Sequence, residues 1–243
     1  MGTENKEKLN IFDLKLLNSF TESYFKIKPN FNLVTFLAKK ERIDFIYNTS
    51  ALEGNPMTFP EVQTLLEGIT VGGHKLSDEQ QILNQNKSVQ LLYDMVEKKD
   101  FTIDKSTFCK LHHKVAFEEA LNWGKFRTGQ IRIGGTEFKP PVPGNLDSIF
   151  QNGLEILEEV DHPIVKALSF FLFGAINQFF WDGNKRTSRL MMNGILLSSG
   201  FPILNIKAKD KLEFNTKMVA YYDSQKMEDI LNYLVMYYLK QNK

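Results

Sequence analysis

Residues Gln178 to Arg189, QFFWDGNKRTSR, concentrate the chemistry of this chain. An apolar stretch ends at the acid Asp182, and Gly183 with Asn184 makes a turn. A new helix then opens with Lys185, Arg186 and Arg189, the two arginines three residues apart on one helical face. Free N–H groups at a helix N-terminus favour phosphate, and planar guanidinium groups clamp its oxygens in a fork. A carboxylate such as Asp182 can hold a Mg²⁺ that bridges those oxygens. The turn therefore suits a polyphosphate. The same residues also suit a capped helix start with solvated cations, and on residue types alone both readings stand.

A second cluster lies far upstream at Thr49-Ser-Ala-Leu-Glu53-Gly54-Asn55. On a helix, Thr49 and Glu53 fall one turn apart on the same face. Gly54 suits the left-handed position after a helix C-cap, and Pro56 confirms the stop. Taken by itself, this is a helix end carrying an exposed glutamate. His112 and His113 fall on a later helix, His162 precedes Pro163 at a helix start, and His74 lies in a Gly-rich loop. All four read as structural.

The elements that must position these residues follow from periodicity. Leu9, Phe12, Leu16, Phe20 and Tyr24 form a helical stripe over 9–27, a flanking helix within residues 1–30. Residues 31–53 read as one helix. A short helix starts at Thr58 and Pro60, a longer one runs from Ser77 to about Lys98, and another opens at Thr102 or Asp104. Further helices are expected at about 146–160, 163–179, 184–199, 209–221 and 225–241, with Gly200 and Pro202 as a breaker. Between Asn122 and Gly144 the helical signal stops. There Ile131, Arg132 and Ile133 alternate before Gly134-Gly135 and Thr136, a hairpin signature. The expected fold is all-α, a helical bundle with one β-hairpin, and residues 31–243 form a single domain.

Composition narrows the class. With 30 Lys and Arg against 29 Asp and Glu over 243 residues, the net charge of +1 lacks the bulk attraction that drives non-specific nucleic-acid binding. A single cysteine, Cys109, forms no internal disulfide, which reads as a reducing, cytoplasmic setting. The longest charge-free run, 167–181, is too short for the roughly 20 residues that span a bilayer. No nucleic acid and no membrane are expected as partners, while a homo-oligomer stays compatible with the sequence.

The 178–189 stretch resembles the Fic-domain motif HxFx(D/E)GNxRxxR, matching it at Phe180, Asp182, Gly183, Asn184, Arg186 and Arg189. The likeness covers roughly residues 31–240. It implies a helical bundle with a β-hairpin "flap", here Ile131 to Thr136, that lines up a target protein. It also implies an enzyme that moves AMP from ATP, with Mg²⁺, onto a protein hydroxyl. By resemblance Asp182 is the metal ligand, Asn184 and the adjoining amides hold the α-phosphate, and Arg186 and Arg189 hold the outer phosphates, with Lys185 an accepted variant. The Thr49–Asn55 segment resembles the family's inhibitory (S/T)xxxE(G/N) motif, on a helix at about 39–54, whose glutamate pairs with the second motif arginine. That implies a chain held off at rest by Glu53. One position departs: Gln178 stands where the family has its catalytic histidine. An amide neither takes nor gives a proton near pH 7, so ordinary AMP transfer is expected to be impaired. A nucleotide-binding module without catalysis, and a hydrolase that removes AMP through Glu53, are the alternatives. A helical interaction protein whose arginines bind another anion stands outside the family.

Overall fold

The computed structural model describes residues 12–21 and 24–243, so Leu9 of the first stripe lies outside the described residues. Eleven α-helices are described, and no strand occurs among these residues. They are α1 (Leu14–Ser19), α2 (Phe31–Lys40), α3 (Arg42–Leu52), α4 (Phe59–Leu66), α5 (Leu76–Glu97) and α6 (Lys105–Val115), followed by α7 (Leu146–Glu158), α8 (Pro163–Asn177), α9 (Asn184–Ser198), α10 (Lys211–Ser224) and α11 (Glu228–Gln241). None is long and apolar enough to cross a membrane.

The centre is the pair α8 and α9, joined by residues 178–183. Helix α8 is apolar all round and buried on every face from Ala167 to Asn177, as expected of a helix surrounded by others. Pro163 sits at its first turn, and His162 caps it by accepting the Ile164 N–H at 3.2 Å. A Cβ added at Gly174 would come within 2.1 Å of Ser188 Oγ, so the α8–α9 crossing needs glycine there. Around this pair α5 packs on α3, α6 and α9, α11 covers α8, and α2 lies on α9. Phe108, Phe126, Phe150, Phe170, Phe179 and Phe180 form one aromatic cluster beneath the 178–183 connection, with Phe108 and Phe180 centroids 4.8 Å apart.

Several expectations shift. The N-terminal helix is only Leu14–Ser19. Phe20 already leaves the helix in extended backbone at ψ 104°, and the stripe residues Phe12 and Phe20 are buried in the common core. The expected helix over 31–53 bends at Glu41, where φ is −94° and ψ 12°. Tyr93 donates its hydroxyl to Ala38 O at 3.0 Å, an acceptor that a continuing helix would use. The helix leading to Glu53 is thus Arg42–Leu52, with Glu53 as its C-cap and Gly54 at φ +97° as anticipated. Helix α5 opens at Leu76, ahead of Ser77, because the Asp78 carboxylate accepts the Lys75 N–H at 3.2 Å. Asp104 caps α6, accepting the Thr107 N–H at 2.7 Å.

The largest difference concerns the hairpin. Residues 131–136 keep the turn at Gly134-Gly135 but form no strand ladder with the returning chain. Across that turn Pro140 and Pro141 fall opposite 129 and 128, where they lack N–H donors and a ladder cannot extend. The arms are held by side chains instead. Gln130 Nε2 donates to Pro140 O at 2.8 Å, Thr136 donates to Asp223, and Phe138 stacks on Tyr222.

Candidate functional site

Helix α8 ends by placing Gln178 in the left-handed region at φ 49°. This turns the chain toward α9, and the Gln178 side chain is engaged at both ends. Its Nε2 donates to Ala175 O at 2.6 Å, while its Oε1 accepts from Asn184 Nδ2 at 3.0 Å. Asn184 also closes the loop on itself, accepting the Phe180 N–H and donating to Phe180 O, both at 2.8 Å. Gly183 stands at φ 69°, with the space for a Cβ already limited to 3.1 Å by Val115 Cγ1. Asp182 accepts the Gly183 N–H at 2.6 Å, yet its side chain is 65% exposed at the mouth of the site.

Two residues hold this loop from behind. His112 stacks face to face on Phe180 with centroids 3.7 Å apart. Its Nδ1 accepts the Gly124 N–H at 2.9 Å, so the neutral ring carries its proton on Nε2, which donates to Asp182 O at 2.9 Å. Burial is the main reason its pKa falls to about 4, with nearby Arg186 adding to the effect. His112 is therefore structural, as its residue type suggests, but it supports the acid of the motif. Arg127 was not singled out from sequence. Its guanidinium is buried and donates to backbone carbonyls, including Gln178 O at 2.6 Å.

The arginines are not solvated. Arg186 and Arg189 are 3% and 1% exposed, and each already meets a carboxylate. Arg186 Nη1 lies 2.9 Å from Glu119 Oε2 and 3.3 Å from Val115 O. Arg189 Nη2 lies 3.1 Å from Glu53 Oε1, and its Nη1 donates to the Thr49 hydroxyl. The other Glu53 oxygen is 2.9 Å from Lys185 Nζ. Burial pushes the Glu53 pKa upward, but Lys185 and Arg189 outweigh it and hold the carboxyl at about 2. Glu119 had no sequence signal, since only the fold brings the chain after α6 against α9.

Glu53, Lys185 and Arg186 line one cavity of about 220 Å³ with Gln178, Asp182, Ile131 and Arg132, while Arg189, Thr49 and Glu119 do not reach its wall. Ile133 packs against the core, and Thr136 is tied to α10. His74, His113 and His162 do not line it; His74 sits 3.1 Å from Glu61 Oε1. Among the described residues no group of three or more His, Cys, Asp or Glu could hold a metal ion. Asp182 alone suits Mg²⁺, which typically takes one or two carboxylates and fills its remaining positions with water and phosphate oxygens.

Residues 102–196 match the family model described as Fic/DOC family, a span that contains the 178–189 motif and lies downstream of Glu53. The protein adenylyltransferase Fic of Drosophila ananassae is 31% identical over 186 residues, covering 73% of this chain and 36% of that protein. The chain thus spans little more than a third of the length of such curated relatives. Fic-1 (aa134–508) from C. elegans superimposes with a TM-score of 0.75 at 16% identity, over 97% of this chain and 70% of that one. A Fic domain containing signaling protein from Bacteroides thetaiotaomicron gives 0.69 at 20% identity, over 94% and 90%. At these identities the two structures speak to the fold. Motif, family match and fold agree, and the chain is a Fic-domain protein.

Proposed function

We propose that this chain is a Fic-type protein adenylyltransferase, moving AMP from ATP to a hydroxyl of a target protein, restrained at rest by Glu53 and slowed by Gln178. The observation that carries the reading is the position of Glu53, whose two oxygens occupy Arg189 and Lys185 at the cavity that the motif lines. Glu53 and Lys185 line the cavity and Arg189 lies buried behind them, so the carboxylate takes up two cations that a phosphate entering the cavity would otherwise meet. At about 220 Å³ the cavity is below the roughly 300–1,000 Å³ of ordinary ligand sites, in keeping with a side chain filling part of it.

In this reading the target hydroxyl attacks the α-phosphorus in line, the α–β phosphoanhydride breaks, and pyrophosphate leaves. Gly183, Asn184 and the N-terminus of α9 receive the α-phosphate region, while Arg186 and a released Arg189 neutralise the outer phosphates. Ile131 to Thr136 align the target. Asp182 would hold Mg²⁺ together with phosphate oxygens, and that ion, when bound, offsets phosphate charge. The hydroxyl proton has no acceptor in Gln178, whose amide orients a hydroxyl but does not ionise. General-base loss costs about 10²- to 10⁴-fold in rate, so slow transfer is the expected resting behaviour.

The test combines Gln178→His, which restores a base, with Glu53→Gly, which frees Arg189, and follows α-phosphate-labelled ATP. Strong protein labelling supports the transferase. No labelling with ATP still bound leaves a nucleotide-binding module, a reading favoured by the Gln178 amide being hydrogen-bonded at both ends. Thermal stabilisation by Mg²⁺-ATP that vanishes in Arg186→Ala separates both from a helical interaction protein. The hydrolase alternative requires Glu53-dependent release of AMP from a modified protein. It is weakened by a carboxylate held at about 2, a poor base near neutral pH.

A further inference from the structure

Arg127 is 2% exposed and has no carboxylate partner among the described residues, yet every arm of its guanidinium is used. Nε donates to Gln178 O at 2.6 Å, Nη1 to Gly129 O at 2.9 Å, and Nη2 to Pro141 O at 2.6 Å. Its own backbone N–H donates to Phe179 O at 2.9 Å. Three separate pieces of chain therefore meet at one charged fork: the α8–α9 connection, the outgoing arm at 129, and the returning arm at 141. A second contact repeats the link, because a Cβ at Gly129 would come within 2.4 Å of Trp181 Cη2, so that indole lies directly over the backbone at 129.

A β-ladder would ordinarily fix two such arms to each other, and none is present among residues 131–141. The arms are instead referenced to Arg127, and through it to the carbonyl of the residue that stands at the base position. We infer that Arg127 is a positioning residue that clamps both arms of the 129–141 segment to the Gln178 backbone, setting the distance between a presented hydroxyl and residue 178. This rests on the transferase reading for its catalytic consequence, but not for the clamp itself. A guanidinium is required because its planar fork reaches three acceptors in fixed directions. A lysine ammonium carries the same charge on a single atom and cannot span them.

The experiment compares Arg127→Lys with Arg127 in the Gln178→His, Glu53→Gly background. Hydrogen exchange is expected to accelerate in 128–142 and 178–183, by about tenfold for each charge-assisted bond lost, with the remaining helices unchanged. Protein labelling at saturating Mg²⁺-ATP should fall by a similar factor, while the ATP concentration giving half-maximal labelling stays the same. Unchanged exchange in both segments overturns the clamp. So does a uniform rise across the chain, which marks a general packing role, or a shift confined to the ATP dependence. If the background labels nothing, the transferase reading fails, and the localised exchange difference still decides whether the clamp exists.

Discussion

The start of α9 and the 129–141 segment border the same cavity, but they are held by different physics. At the start of α9, Lys185, Arg186 and Arg189 are spaced by the regular turn of one helix, and each cation then meets a carboxylate from another element. In 129–141 no periodic backbone pairing sets the geometry. One buried arginine, one threonine and one ring contact tie the segment to α10 and to the α8–α9 connection. The first region has its spacing set by helix geometry and is electrostatically loaded. The second is as well placed as its few long-range contacts allow. The difference teaches that one border of the cavity is held by paired charges and the other by a few anchoring side chains.

The comparison breaks most sharply at Glu53. Removing one partner of a buried ion pair costs about 3–5 kcal/mol, because the remaining charge is left without compensation. Glu53→Ala should therefore lower Tm by roughly 10 °C, and Mg²⁺-ATP should restore more stability to the variant than to the parent chain. Equal stabilisation of both by the nucleotide would show that Glu53 and phosphate do not compete.

Acid should act on the same pair. The Glu53 pKa lies at about 2 in the fold against a usual 4.5, so the unfolded chain binds the proton more readily between those values. Its contribution, roughly 3 kcal/mol, is fully present above pH 4.5 and disappears as pH falls toward 2. Urea midpoints at pH 6 and pH 3 should separate more in the parent than in Glu53→Ala. Parallel losses would mean that other carboxylates carry the acid sensitivity.

The smallest effect belongs to the anchored segment. Thr136→Val removes the side-chain tie to Asp223 at an exposed site, where a hydrogen bond contributes about 0.5–1.5 kcal/mol. Stability should barely move, while exchange of the 131–138 amides should rise. A large global loss would show that this segment is part of the core after all.

Much of the fold was legible because α-helices announce themselves locally. The breakers at Gly54 and Gly200, the cap at Asp104 and the buried span 167–177 all depend on neighbours within a turn or two. In 131–136 the alternation and the turn are local and legible, whereas the lack of a strand ladder goes with ties to Arg127 and α10 that no local pattern announces. The bend at Glu41 followed from Tyr93, fifty-two residues away in sequence.

The site divides along the same line. Residue types and helical spacing determined which groups would gather at the turn, that Thr49 and Glu53 would share a face, and that position 178 lacks a group able to take a proton. Tertiary structure decided their state: that both arginines are buried and already paired, that Glu119 and Lys185 complete the network, and that His112 and Arg127 carry the loop from behind. Spacing along a chain fixes geometry only over a few residues. Burial, and the pKa and ion pairing that follow from it, are set by which distant segments exclude water from the same place.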